Sequence, residues 1–110
     1  MEPRATDALS LALDDLPLDA DAVVEGAPSA GVATLHQLGG AEIGIWELTA
    51  GTVTDTEADE VFAVIAGSGT VTFADGESVA LRPGVVVRLR AGEQTRWTVT
   101  ETLRKVWVAP

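Results

Sequence analysis

The 110-residue chain has no cysteine, one histidine (His36) and one lysine (Lys105). Without cysteine there is no disulfide, no thiolate nucleophile and no thiolate metal ligand. A single histidine is too few for a metal site built on several imidazoles. Basic residues are scarce as well, 7 against 17 acids, for a formal charge of -10. A nucleic-acid binder needs a net basic face to displace counterions from phosphate, so that class is excluded. An anionic membrane surface is an equally poor partner. The longest wholly apolar run, Val61–Ala66, falls far short of the roughly 20 residues that span a bilayer. The opening residues MEPRATDALSLALDDL lack the cationic start and continuous apolar stretch of a signal peptide, so the cytoplasm is the expected compartment. Also missing are a Ser-His-Asp order, a phosphate-binding Gly-x-x-x-x-Gly-Lys and a Gly-x-Gly-x-x-Gly.

What is present suits one folded domain. A chain of this length buries about two-thirds of its unfolded surface, enough for one modest core. A hydrophobic content of 46% argues against disorder. The charge is lopsided. Residues 1–81 carry 15 acids and one base, Arg4, whereas residues 82–110 carry Arg82, Arg88, Arg90, Arg96, Arg104 and Lys105 against Glu93 and Glu101. Either strands from the two halves pair, so that opposite charges meet across a sheet, or the late arginines line a pocket for an acidic ligand.

Residues 1–17 read as an arm or short helix: Leu9, Leu11, Leu13 and Leu16 support a helical turn that Pro17 stops. The remainder, 18–110, forms the domain proper. From Val32 onward, short runs rich in Val, Ile, Thr and Trp recur every 8–12 residues between Gly, Pro and Asp. The predicted strands are 32–38, 42–49, 61–65, 70–73, 78–81, 85–89, 95–100 and 103–108. Asp75-Gly76 predicts a type I′ hairpin, and Pro83-Gly84 another tight turn. Eight short strands and no long helix imply an all-β sandwich or barrel. Leu103, Lys105 and Trp107 share one strand face, and both faces of the last strand are largely apolar. Trp46, Trp97 and Trp107 are expected in the core or as lumen walls.

The ordered set Gly44-Ile45-Trp46-Glu47, Gly51, Asp59-Glu60, Gly67, Asp75-Gly76, Gly84, Ala91-Gly92, Trp97 and Arg104-Lys105-Val106-Trp107-Val108 resembles the cupin superfamily. More narrowly, it resembles the small single-domain cupins related to ureidoglycine aminohydrolase, over roughly residues 18–109. The resemblance implies a jelly-roll barrel and a homodimer. It also implies two metal motifs, which this chain departs from. In the second motif, Gly-x5-Pro-x-Gly-x2-His-x3-Asn, the glycines match Gly84 and Gly92, but Arg90, Thr95 and Val99 stand at the Pro, His and Asn positions. In the first, a forward count from Gly51 puts Glu57 and Asp59 at the histidine positions, and a backward count from Gly67 puts Glu60 at the glutamate position. No histidine occupies a ligand position, so no metal is expected. Glu57, Asp59 and Glu60 could take a hard ion such as calcium or magnesium through oxygen, against the plainer reading of a solvated acidic loop.

Glu60, whose position in the family points into the barrel, needs a cation if buried, and Lys105 is the first candidate. These two are the candidate catalytic residues, with Trp46, Arg90, Thr95, Arg96, Trp97 and Trp107 as candidate ligand-binding residues. His36 is a weaker candidate base. The expected function is that of a cupin-fold protein without the histidine metal site, binding a small polar or anionic metabolite in the barrel. The alternatives are a hydrolase or lyase acting on ureido or amide compounds, implied by the resemblance, and a non-catalytic interaction module with a packed lumen.

Overall fold

The computed structural model describes residues 3–110. Its strands are β1 (Asp14–Leu16), β2 (Val23–Glu25), β3 (Ala30–Leu38), β4 (Ala41–Leu48), β5 (Gly51–Thr56), β6 (Glu60–Phe73), β7 (Ser78–Leu81), β8 (Val86–Leu89) and β9 (Gln94–Ala109), with a 3₁₀ turn at Ala20–Ala22. All pairings are antiparallel. Among the described residues no helix is long and apolar enough to cross a membrane.

Two long strands organise the barrel. β6 and β9 pair with each other along most of their length, with register shifts between Val64 and Gly69 where the pair bends. On its other edge β9 takes β5 along its first half and β4 along its second. β6 takes β8 along its first half and β7 along its last residues. The result is two half-sheets, β1-β3-β4-β9-β6-β8 and β2-β5-β9-β6-β7, curled toward each other as a small jelly-roll barrel. Four predicted strands are thus two continuous ones. Gly67-Ser68-Gly69 and Glu101-Thr102 fall between predicted strands, but they lie inside β6 and β9 and mark the bend.

The alternation of the sequence sets which residues enter the barrel. In β9, Thr95, Trp97 and Val99 are buried between exposed Gln94, Arg96, Thr98 and Thr100. Leu48, Phe62, Val64, Val71, Leu81, Leu89, Trp97, Val99 and Leu103 form the core between the half-sheets. The β6–β7 turn differs from the expected type I′. Only Gly76 has a positive φ, at 94°, and the Gly76 N–H donates to the Phe73 carbonyl. This is a type I turn closed by a left-handed glycine, which needs one such residue rather than two.

Residues 3–17 hold a turn at Ala8–Ser10 and then β1, which pairs with β3. Pairing with the open edge of β3 wins over the helical spacing of the leucines. Arg104 fastens the arm: its Nη1 donates to the carbonyls of Ala8 and Leu11, both at 2.9 Å, while its Nε donates to Glu47 at 3.1 Å. Arg104–Glu47, Lys105–Glu60 and Arg88–Asp59 are ion pairs between the basic end of the chain and its acidic remainder, so opposite charges do meet across the sheets.

Candidate functional site

One end of the barrel is filled by aliphatic side chains. The other keeps a cavity of about 410 Å³. Its walls come from β4, β5, β6 and β9, and Leu16-Pro17-Leu18-Asp19 lie across its mouth. Trp46 and Lys105 are register partners on β4 and β9 and both enter the lumen. Trp107, two residues further along β9, lies beside Gly44. A Cβ on Gly44 would stand 2.3 Å from the Trp107 ring, so this wall requires glycine beneath it.

Lys105 is 4% exposed. Its Nζ lies 2.6 Å from Glu60 Oε2. It also faces three rings, with centroids at 4.2 Å (Phe62), 4.6 Å (Trp46) and 4.8 Å (Trp97). Trp97 is the hub of this cage, 5.4 Å from Trp46 and 5.5 Å from Phe62. Burial pulls the Lys105 ammonium below its ordinary range, against the upward pull of Glu60 and, further off, Glu57 and Asp55. Ring faces favour the cation, but they cannot replace the hydration it has lost.

Glu57 is the second polar centre. Its Oε2 accepts hydrogen bonds from Thr95 Oγ1 at 2.6 Å and from Trp97 Nε1 at 3.1 Å. Its backbone is held as well: the Glu57 N–H donates to the Glu93 carbonyl, and the Gly92 N–H donates to the Glu57 carbonyl. Burial raises the Glu57 carboxyl despite these donors, and the nearby Asp55 adds to the rise. Asp55, at the rim, is raised chiefly by burial too. The sequence reading missed Asp55 because it missed β5. The only signal was β propensity, since Thr52-Val53-Thr54-Asp55-Thr56 is rich in β-branched residues without apolar alternation; Val53, Thr54, Asp55 and Glu57 line the cavity.

Of the sequence-predicted residues, Glu60, Lys105, Trp46, Trp97 and Trp107 line this one cavity. Thr95 is buried beside it and reaches it through Glu57. Arg90 and Arg96 do not line it. Arg90 is exposed at the turn before Gly92, and Arg96 alternates outward between Thr95 and Trp97 into an open groove that adjoins the cavity at Asp19, Ala22, Thr54 and Asp55. His36 stands on β3 in a surface dip outside the cavity.

The residues present do not fit the metal set that the resemblance implies. Glu57 is committed to Thr95 and Trp97, and Glu60 to an ammonium. Asp59 turns to the surface, where it accepts from the Ala91 N–H at 3.0 Å and from Arg88 at 3.3 Å, which hold its carboxyl low. Among the described residues no group of three or more His, Cys, Asp or Glu side chains is placed to hold a metal ion.

The fold has many solved counterparts. A chain of the DUF861 family from Pseudomonas syringae pv. tomato, of unknown function, matches 93% of this chain and 45% of its own length, at 23% identity and a TM-score of 0.78. The EutQ protein of Clostridium difficile matches over 74% of this chain and 62% of its own, at 22% identity and a TM-score of 0.63. Ectoine synthase from P. lautus matches over 80% and 67%, at 23% and 0.61. This chain therefore spans less than two-thirds of the Clostridium EutQ chain. At these identities the likeness shows the fold alone. No curated protein matches. The model of the EutQ-like cupin domain matches residues 35–107, about two-thirds of the chain and most of the barrel. The chain belongs to the EutQ-like cupin domain family.

Proposed function

We propose that this cupin binds a small polar metabolite in the open end of its barrel, without a resident metal, with Glu60 and Lys105 as the polar anchors. The observation that carries the reading is the Lys105–Glu60 pair, buried on the wall of a cavity of about 410 Å³. Cavities of that size accept small ligands. A buried ion pair is a weak source of stability, because desolvation offsets most of the attraction. Keeping one beside open space is better explained by a ligand. The charge balance sets the ligand's character. Asp55, Glu57 and Glu60 share the cavity with one ammonium, while Arg90 and Arg96 lie outside it. An anion would meet carboxylates here, so the polar part of the expectation is favoured over the anionic part.

One observation supports a catalytic variant. Burial moves the Glu57 carboxyl up and the Lys105 ammonium down, toward the neutral range where proton transfer is efficient. This supports acid–base catalysis, as a hydrolase or lyase would need; the ureido or amide substrate class rests on the sequence resemblance. A packed lumen has no such support, since the cavity remains.

We take the working unit to be a cytoplasmic homodimer. Val61 and Val108 are register partners on the outer face, 40% and 41% exposed, and Val86 nearby is 64% exposed. A second copy would cover this apolar strip. Sizing chromatography should give twice the 11.4 kDa of one chain, and elution at monomer size removes the dimer.

The binding reading is tested by a thermal-shift screen of neutral and cationic polar metabolites. A ligand at 100 times its Kd adds about 2.7 kcal/mol of stability, a shift of several degrees in a domain of this size. The shift should vanish in Lys105→Met. No hit in the wild type, or a hit that survives the substitution, overturns the assignment.

A further inference from the structure

We infer that Lys105 is a carbonyl-reactive amine, and that the open end of the barrel takes a small aldehyde or ketone, lacking an anionic group, as an imine on Nζ. This rests on the binding reading above and names the class of ligand that the same cavity accepts.

Four observations converge on it. Lys105 is the chain's only lysine, and it lies at the cavity and not on the solvated surface where lysines ordinarily sit. Its Nζ is walled by three aromatic rings that exclude water from the amine and from any imine formed there. A carboxylate, Glu60, is in hydrogen-bond contact with Nζ and can take its proton. A second carboxyl, Glu57, lines the same cavity, and Thr95 and Trp97 fix its position. Desolvated amines lose the proton that masks their lone pair, and burial lowers the Lys105 ammonium in the required direction.

The step balances without any co-reactant. Nζ first gives a proton to Glu60. The amine lone pair then forms the C–N bond to the carbonyl carbon, and the C=O π pair moves to oxygen, which takes a proton from a carboxyl of the cavity. The nitrogen, still carrying two protons and a positive charge, gives one to carboxylate, and the neutral carbinolamine then loses its hydroxyl as water with that carboxyl supplying the proton. The remaining N–H proton returns to carboxylate, and the C=N bond is complete. Amine plus carbonyl gives imine plus one water, with no change of oxidation state. Trp46 and Trp107 offer apolar walls to the carbonyl compound's substituent, and the carboxylates select against an anionic one.

The test uses the full chain with benzaldehyde and sodium cyanoborohydride at neutral pH, which reduces the imine to a stable secondary amine read by peptide mass mapping. Lys105 is the one side-chain amine of this sequence, and the α-amine of the tested chain, at Met1, serves as the internal control. Lys105 should be modified about tenfold faster than the lysine of a peptide corresponding to residues 101–110, because Glu60 is placed on Nζ to take its proton and Glu57 lines the same cavity. Glu60→Gln keeps the shape and should slow the modification about tenfold. Modification of Met1 with Lys105 untouched overturns the inference, as does a Lys105 rate no higher than the peptide's. A metabolite shift that Lys105→Met abolishes, together with an unreactive Lys105, leaves the binding reading standing and removes only the covalent one. Fast modification of Lys105 with no hit among polar metabolites does the reverse.

Discussion

The two ends of this barrel are built from the same strands and do opposite things. At the closed end Leu48, Val71, Leu81, Val99 and Leu103 meet with almost no exposure and no polar atom to satisfy. At the open end, two residues from Leu103 on β9, the chain buries an ammonium. The closed end supplies stability through burial, which is non-directional and tolerant of exchange. The open end uses groups whose burial is costly unless each is paired, and nearly all of them are: Lys105 with Glu60, and Glu57 with Thr95 and Trp97. No buried side-chain polar atom among the described residues lacks a partner. The difference teaches where burial that stabilises outright gives way, on a single strand, to burial that needs a partner for every polar group.

The contrast can be broken from either side. The largest effect belongs to the closed end: Leu103→Ala should cost about 2–5 kcal/mol in urea denaturation, since the rigid half-sheets cannot collapse into the hole. A loss under 1 kcal/mol would show that this end is not the stabilising one. A smaller effect tests the open end. Folded Glu57 holds its proton to higher pH than the unfolded chain does, so its contribution favours folding at low pH. That contribution is lost as pH rises from the ordinary carboxylate range through the raised value. Glu57→Gln cannot titrate, so the difference in stability between wild type and variant should move in the variant's favour over that window. A constant difference would mean that Glu57 titrates normally. The smallest effect is expected from replacing the pair together. Glu60→Gln with Lys105→Met should leave stability within about 1 kcal/mol of wild type while abolishing ligand binding. A large loss would make the pair structural.

Much of this was legible beforehand, and the reasons are specific. Trp46, Trp97, Lys105 and Trp107 could be assigned to the lumen because side chains alternate along a strand, and one inward residue then places its neighbours. The Glu60–Lys105 pair followed from charge: a carboxylate entering an apolar barrel must find a cation, and Lys105 shares a face with Trp107. The arginines failed the same reasoning. Arg96 sits between two inward residues and must point out, which alternation alone could have said. Arg90 falls in a turn, where alternation has no force. β5 went unseen because threonines and an aspartate carry no hydrophobic pattern, so Asp55 went with it.

The order of residues alone settled the all-β class, the acidic character, the scarcity of bases and the fact that one amine would stand out, since composition and two-residue periodicity are local properties. Only the folded chain decided that Glu57 would rest on Thr95 and Trp97, that three rings would close around Lys105, and that the arm would reach back across the cavity mouth. Apart from Trp97 beside Lys105, those contacts join residues separated by 38 or more positions. Their geometry depends on the bend of β6 against β9, which no single stretch of sequence contains.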